Sequence, residues 1–216
     1  MAIRLKSGDL LCLPLHGGWG FAYAKYLNIL GLEGNDSYPD LLHVFAYRTP
    51  AAEVPNTAHL QTYLLPPTLW AGRLPTLRTG RWHRVGALPV RPEEHPLPDF
   101  RWNECTIADR MLVPRPPQPG ATLYSPGLAK SCETAVENVT HLEYLGACVS
   151  ESVEYRATLT FMLREGAVPA NYFDASDPAF QYEMGVLNAR PFPDALPSFL
   201  YGRARQPGDP GYVALM

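Results

Sequence analysis

Ser7-Gly8-Asp9-Leu10-Leu11-Cys12-Leu13-Pro14-Leu15, followed after His16 by Gly17-Gly18-Trp19-Gly20-Phe21-Ala22-Tyr23-Ala24, decides the fold. The first run is apolar and nears its end at Pro14, which has no N–H to give a ladder and suits a strand exit or an edge. His16-Gly17-Gly18 supplies the turn, because glycine reaches positive φ without a Cβ clash. The returning segment places Trp19, Phe21 and Tyr23 on one face at period two and Gly20, Ala22 and Ala24 on the other. Large residues on one side and tiny ones on the other suit a strongly bent strand. Leu41-Leu42-His43-Val44-Phe45-Ala46-Tyr47-Arg48 reads as a third strand. Three strands with short connections predict an antiparallel meander, compatible with a small SH3-like barrel.

Outward from this hairpin, Gly80-Arg81-Trp82-His83-Arg84-Val85-Gly86-Ala87-Leu88-Pro89 reads as a strand over 81–88, entered through a turn at Arg78-Thr79-Gly80. Leu69 to Gly72 reads as a short helical turn. Phe100 to Ile107 alternates aromatic and polar residues, as a strand does. Residues 114–120, Pro-Arg-Pro-Pro-Gln-Pro-Gly, favour extended polyproline geometry and mark a soft subdivision or a long surface loop. Ser131 is positioned to cap a short helix over 131–137. Residues 150–166 carry two patterns. Val153, Tyr155, Ala157, Leu159, Phe161 and Leu163 alternate as in a strand, while Ser150, Glu151, Arg164 and Gly166 suit the ends of a helix. A short helix is expected near Pro178–Leu187.

Bulk composition narrows the classes. With 46% hydrophobic residues in 216, a real core can form, and 23 prolines with 17 glycines disfavour a long-helix bundle. The formal net charge of −3 leaves no basic footprint for nucleic acid. The amino-terminal residues lack the pattern of a secretory signal, and no apolar run reaches membrane-spanning length, so a cytoplasmic protein without a membrane partner is expected. Cys12, Cys105, Cys132 and Cys148 show no CxxC spacing and read as reduced thiols. The six histidines are scattered without metal-ligand spacing, and neither metal nor cofactor is expected.

The hairpin motif with Gly8, Asp9, Pro14 and Gly20, together with Gly80, Trp82, Gly86 and the Leu97-Pro98-Asp99-Phe100-Arg101 segment, resembles the bacterial polymorphic-toxin family called Immunity protein 26. The likeness runs over about residues 5–165. It implies a mainly β, α+β domain over 1–166, built on a strongly curved antiparallel sheet with one or two peripheral helices. The family's closing region is often helical, which tips 150–166 toward helix. The tail 167–216 has no counterpart in the family and is expected to pack on the domain or to be partly mobile. The 114–120 insert is longer than the family's usual connection.

The resemblance implies a non-catalytic inhibitor that binds a cognate toxin domain, often a nuclease with a basic cleft. Acidic loops would steer that encounter. Glu33, Asp36 and Asp40, with Tyr38 between them as an aromatic anchor, and the Glu93-Glu94 pair are the candidates. The motif residues also have structural readings. Asp9 can close a turn, Trp82 can anchor a core with one acceptor for its indole N–H, Gly86 suits a bulge, and Arg101 can pair with Asp9 or Asp99.

Two other classes are open. Gly8-Asp9-Leu10-Leu11, Leu42-His43-Val44 and Ser131-Cys132-Glu133 resemble permuted papain-like amidases. These would use Cys132, at a helix start, as nucleophile and His43 as base. Here Leu42 stands where a small polar residue usually precedes the His. The third class is an SH3-like peptide-binding module with Trp19, Phe21 and Tyr23 in its groove.

Overall fold

The computed structural model describes residues 4–30, 32, 35, 38, 40–91, 94, 97–102, 120–188 and 190–215. Strand β1 (Asp9–Pro14) and strand β2 (Phe21–Asn28) form the expected hairpin across a 3-10 turn at His16–Gly18, with Cys12 opposite Tyr23. Gly20 makes this start possible. Its φ is +89°, and a Cβ there would stand 2.1 Å from the Thr49 carbonyl oxygen. Gly8 is held the same way at φ +96°, where a Cβ would meet the Leu88 oxygen at 2.4 Å.

Strand β3 (Asp40–Thr49) pairs antiparallel with β2, and the register slips between Ala22 and Ala24. Strand β4 (Thr68–Ala71) adds antiparallel to β3, and strand β5 (His83–Ala87) adds antiparallel to β1. Strand β9 (Cys148–Val149) then joins β4 in parallel. The order is β5-β1-β2-β3-β4-β9, a mixed and open six-stranded sheet rather than a wholly antiparallel one. Residues 69–71 are therefore strand, not a helical turn. Leu69 and Trp70 enter apolar clusters on opposite faces, the period of a strand buried on both sides.

A second sheet, order β6-β7-β8, comprises β6 (Phe100–Arg101), β7 (Ala121–Ser125) and β8 (Cys132–Ala135). The helix expected over 131–137 is corrected: Cys132 pairs with Tyr124 across a ladder, and only a 3-10 turn at Val136–Asn138 follows. The 114–119 stretch, Cys105 and most of the strand expected over 100–107 lie outside the described residues.

Among the described residues there are three α-helices: α1 (Arg73–Arg78), α2 (Ser150–Arg164) and α3 (Pro178–Asn188). Helix α2 explains the double pattern in its sequence. Val153, Ala157 and Phe161, four residues apart, face the main sheet, while Leu159 and Met162 face Phe180 and Leu187 of α3. A helix buried on two sides carries more than one apolar stripe, and two stripes together imitate strand alternation.

One sheet face contributes Leu11, Leu13, Ala22, Ala24, Leu42 and Val44 to the same apolar cluster as Val153, Ala157 and Phe161 of α2. The other face buries Leu10, Cys12, Tyr23 and Phe45 under Leu60, and Leu27, Leu41 and Leu69 under Phe100. Trp19 therefore parts from Phe21 and Tyr23. It packs against the α2 side and α3's cluster, while they pack on the opposite face. Residues 198–213 run from this second face, at Tyr201, onto the smaller sheet, at Ala204 and Val213. Tyr201 stacks on Tyr63 at 4.2 Å, Ala204 N–H donates to Asp99, and Asn138 exchanges two hydrogen bonds with Val213. Among the described residues no helix is long and apolar enough to cross a membrane.

Candidate partner-binding surface

The motif residues are built into the scaffold. Asp9 accepts from Lys6 N–H at 2.7 Å and from Arg84 Nε at 2.6 Å, closing the turn into β1. Pro14 ends β1 opposite Phe21. Trp82 is buried, stacks on Trp70 at 4.9 Å, and donates its indole N–H to Glu154 Oε1 at 2.6 Å. Gly86 lies beside the β1/β5 register shift, in open space. Gly80 turns the chain at φ +70°. Phe100 is fully buried. Arg101 takes neither expected carboxylate: it lies over the Tyr144 ring at 4.4 Å, while Asp99 accepts from Gly127 and Ala204 N–H groups.

The acidic loop residues chosen from sequence fare differently. Glu33, Asp36 and Glu93 lie outside the described residues. Asp40 is no solvated loop charge. It is buried in β3 and accepts from Tyr26 Oη at 2.6 Å and Arg73 Nη1 at 2.9 Å. Tyr38 is half-buried, its N–H donating to Asn35 Oδ1. Glu94 is likewise internal. It pairs with the buried Lys25 ammonium and accepts from Tyr63 Oη at 2.5 Å and Arg91 N–H at 2.7 Å. Burial pushes the Glu94 carboxyl up, but these donors outweigh it and hold it below the ordinary value.

Lys25 and His43 are cross-strand partners in the β2–β3 register. His43 is buried, with Nδ1 at 2.8 Å from the Tyr201 hydroxyl. Cys132 is exposed on the other sheet, where its thiol donates to the Lys130 carbonyl at 3.7 Å. The cavity beside His43, about 230 Å³, is lined by Glu94, Asp99, Tyr201 and Arg203 among others, and Cys132 is not among its described lining residues. The structure thus does not bring the proposed nucleophile and base together.

Two charge clusters escaped sequence reading, because their partners are far apart in the chain. Glu154 of α2 accepts from Arg81 Nε at 2.7 Å and Nη2 at 2.5 Å as well as from Trp82. Glu143 accepts from Arg156 Nη1 at 2.7 Å and from Arg190 Nη1 and Nη2 at 2.9 and 3.0 Å. Arg156 also forks onto Glu183 at 2.7 and 3.1 Å. Burial opposes the Glu143 charge, yet the two guanidiniums hold its carboxyl down at about 2. This four-charge knot fastens α2 and α3 to the segment entering β9.

A groove lies between the start of α2 and the start of α3, with a volume of about 590 Å³. His16, Tyr155 and Phe173 form a row of edge-on rings along it, spaced 5.4 and 5.0 Å apart. Glu151 flanks it from α2, and Asp174, Asp177 and the exposed Tyr182 from the α3 side. Burial first, then the Asp177 and Glu183 carboxylates, push the Tyr155 phenol above its ordinary value, so the acidic field reaches the ring row. The chemistry on offer is cation binding: carboxylates at the rim and ring faces below. Compared with protein-family models, curated proteins and solved structures, the chain matches none.

Proposed function

We propose that this chain is a non-catalytic immunity protein that binds a cognate bacterial toxin, of the nuclease kind, in the cytoplasm and neutralises it by covering its working surface. The observation that carries the reading is the acidic, ring-lined groove beside exposed Val149 and Tyr182. An acidic concavity suits a toxin whose own cleft is basic, because opposite fields steer the encounter and disfavour wrong partners. Anchoring aromatics at the centre of a standard interface of about 1,600 Å² would supply most of the affinity.

On this reading the six-stranded sheet acts as a strongly curved, SH3-like partial barrel whose motif residues keep its shape. The domain over 1–166 presents α2, and the extension 167–216 supplies the other wall of the groove. No cofactor takes part. The test is co-expression with a toxin domain encoded beside this chain. Rescue of growth supports neutralisation, and continued killing with both proteins soluble refutes it.

A further inference from the structure

We propose that the groove between α2 and α3 receives an arginine side chain presented by a basic segment of the partner protein. The inference rests on the reading of the chain as a protein-binding inhibitor and names the chemistry of its docking face. Three features converge on that occupant. The ring row His16–Tyr155–Phe173 offers apolar contact to a side-chain stem and π faces to a cation. The rim carries carboxylates with capacity to spare. Asp174 holds Oδ1 on Ser176 and Asp177 holds Oδ1 on Ala179 N–H, which fixes both groups and leaves each Oδ2 without a protein partner among the described residues. The Glu151 side chain is 69% exposed, and its nearest cation, Arg81 Nη2, stands 3.9 Å away while committed to Glu154.

The compensating charges lie elsewhere. Glu183 is already spent on Arg156, so the charge of the groove left without an ion pair among the described residues is that of Asp174 and Asp177, with Glu151 only partly offset by Arg81, which it shares with Glu154. An anionic occupant is disfavoured even though two helices begin here, because Glu151 and Asp177 already sit at those helix starts and complement their dipoles. A planar guanidinium matches two fixed carboxylates with paired N–H donors better than an ammonium does.

The experiment titrates the full chain, by amide chemical shifts, with the peptide Gly-Arg-Gly-Arg-Gly, its lysine counterpart and its glutamate counterpart. Saturable shifts at α2 and α3 are expected with the arginine peptide, weaker ones with lysine, and none with glutamate; binding should fall as salt rises. Glu151→Gln and Asp177→Asn, the latter keeping a capping residue, should each weaken binding about two- to fivefold. Tyr182→Ala should weaken it about fivefold or more. No saturable response, an equal response to glutamate, or binding unchanged in all three variants overturns the proposal.

Co-expression separates it from the broader reading. Rescue by the native chain that the three variants lose supports the groove as the docking face. Rescue retained by all three overturns the groove and leaves neutralisation standing. Arginine-peptide binding that the variants weaken, without rescue by the native chain, supports the groove and removes the toxin.

Discussion

Replacing Glu143 by glutamine tests the buried charge knot most directly. The substitution keeps side-chain volume, so no cavity forms, but it removes the charge that balances Arg156 and Arg190. All three side chains are at most 6% exposed. Arg156 would keep Glu183, while Arg190 would lose its only carboxylate among the described residues. Breaking a buried pair from one side costs about 3–5 kcal/mol, because a desolvated charge is left behind. The depressed Glu143 carboxyl points the same way. It falls from the ordinary 4.5 to about 2, which corresponds to about 3 kcal/mol of stabilisation. The folded-state value is depressed, so this contribution is fully present above pH 4.5 and is lost as the pH falls toward 2. Urea unfolding at pH 7 should show a lower midpoint with an unchanged slope. Between pH 5 and 2 the variant should lose less stability than the native chain. A loss under about 1 kcal/mol at pH 7, or an identical acid profile, would refute the claim that this knot binds the helices together.

Gly20→Ala should cost at least about 2 kcal/mol in the same assay, since strain at positive φ adds to a collision with Thr49; Gly80→Ala, with similar φ but open space, should cost only about 1 kcal/mol. Equal losses would show that the close approach at Gly20 does not matter. Tyr201→Phe removes the hydroxyl facing His43 and should destabilise by about 1–2 kcal/mol; an unchanged urea midpoint counts against the tail as a structural strap. Burial raises the Cys12 and Cys148 thiols to about 11, whereas Cys132 is exposed. In a Cys105→Ser background at pH 8, a thiol-disulfide reagent should therefore label Cys132 first, and faster labelling of Cys148 on peptide mapping would contradict this.

The sequence made local structure legible where one segment's own pattern determined it. The β1–β2 hairpin, β3, the strand that follows Trp82 and the helix α3 follow from turn glycines, alternation and end signals, whereas α2 carried both patterns and only the resemblance tipped it toward helix. Cys132–Ala135 misled, because a Ser followed by acidic residues looks like a helix start, and only pairing with β7 makes it a strand. Leu69 to Gly72 misled for the same reason: four residues hold too little pattern, and β3 supplies the ladder. The charged residues were the least readable. Asp40 and Glu94 look like loop acids until Arg73 and Lys25 arrive from elsewhere in the chain. Half of the groove comes from a tail that no motif in the sequence marked.

The parallel junction of β4 with β9 also dictates an order of events at the ribosome. Trp70 waits for Cys148, some 78 residues later, before its free side is covered. At roughly 5–20 residues per second, the meander β1–β2–β3–β4 stands complete for several seconds with one border open. An uncovered strand border is a template for a second nascent chain. This border is only four residues long, and the brevity of β4 limits how firmly a neighbour can grip it during that interval.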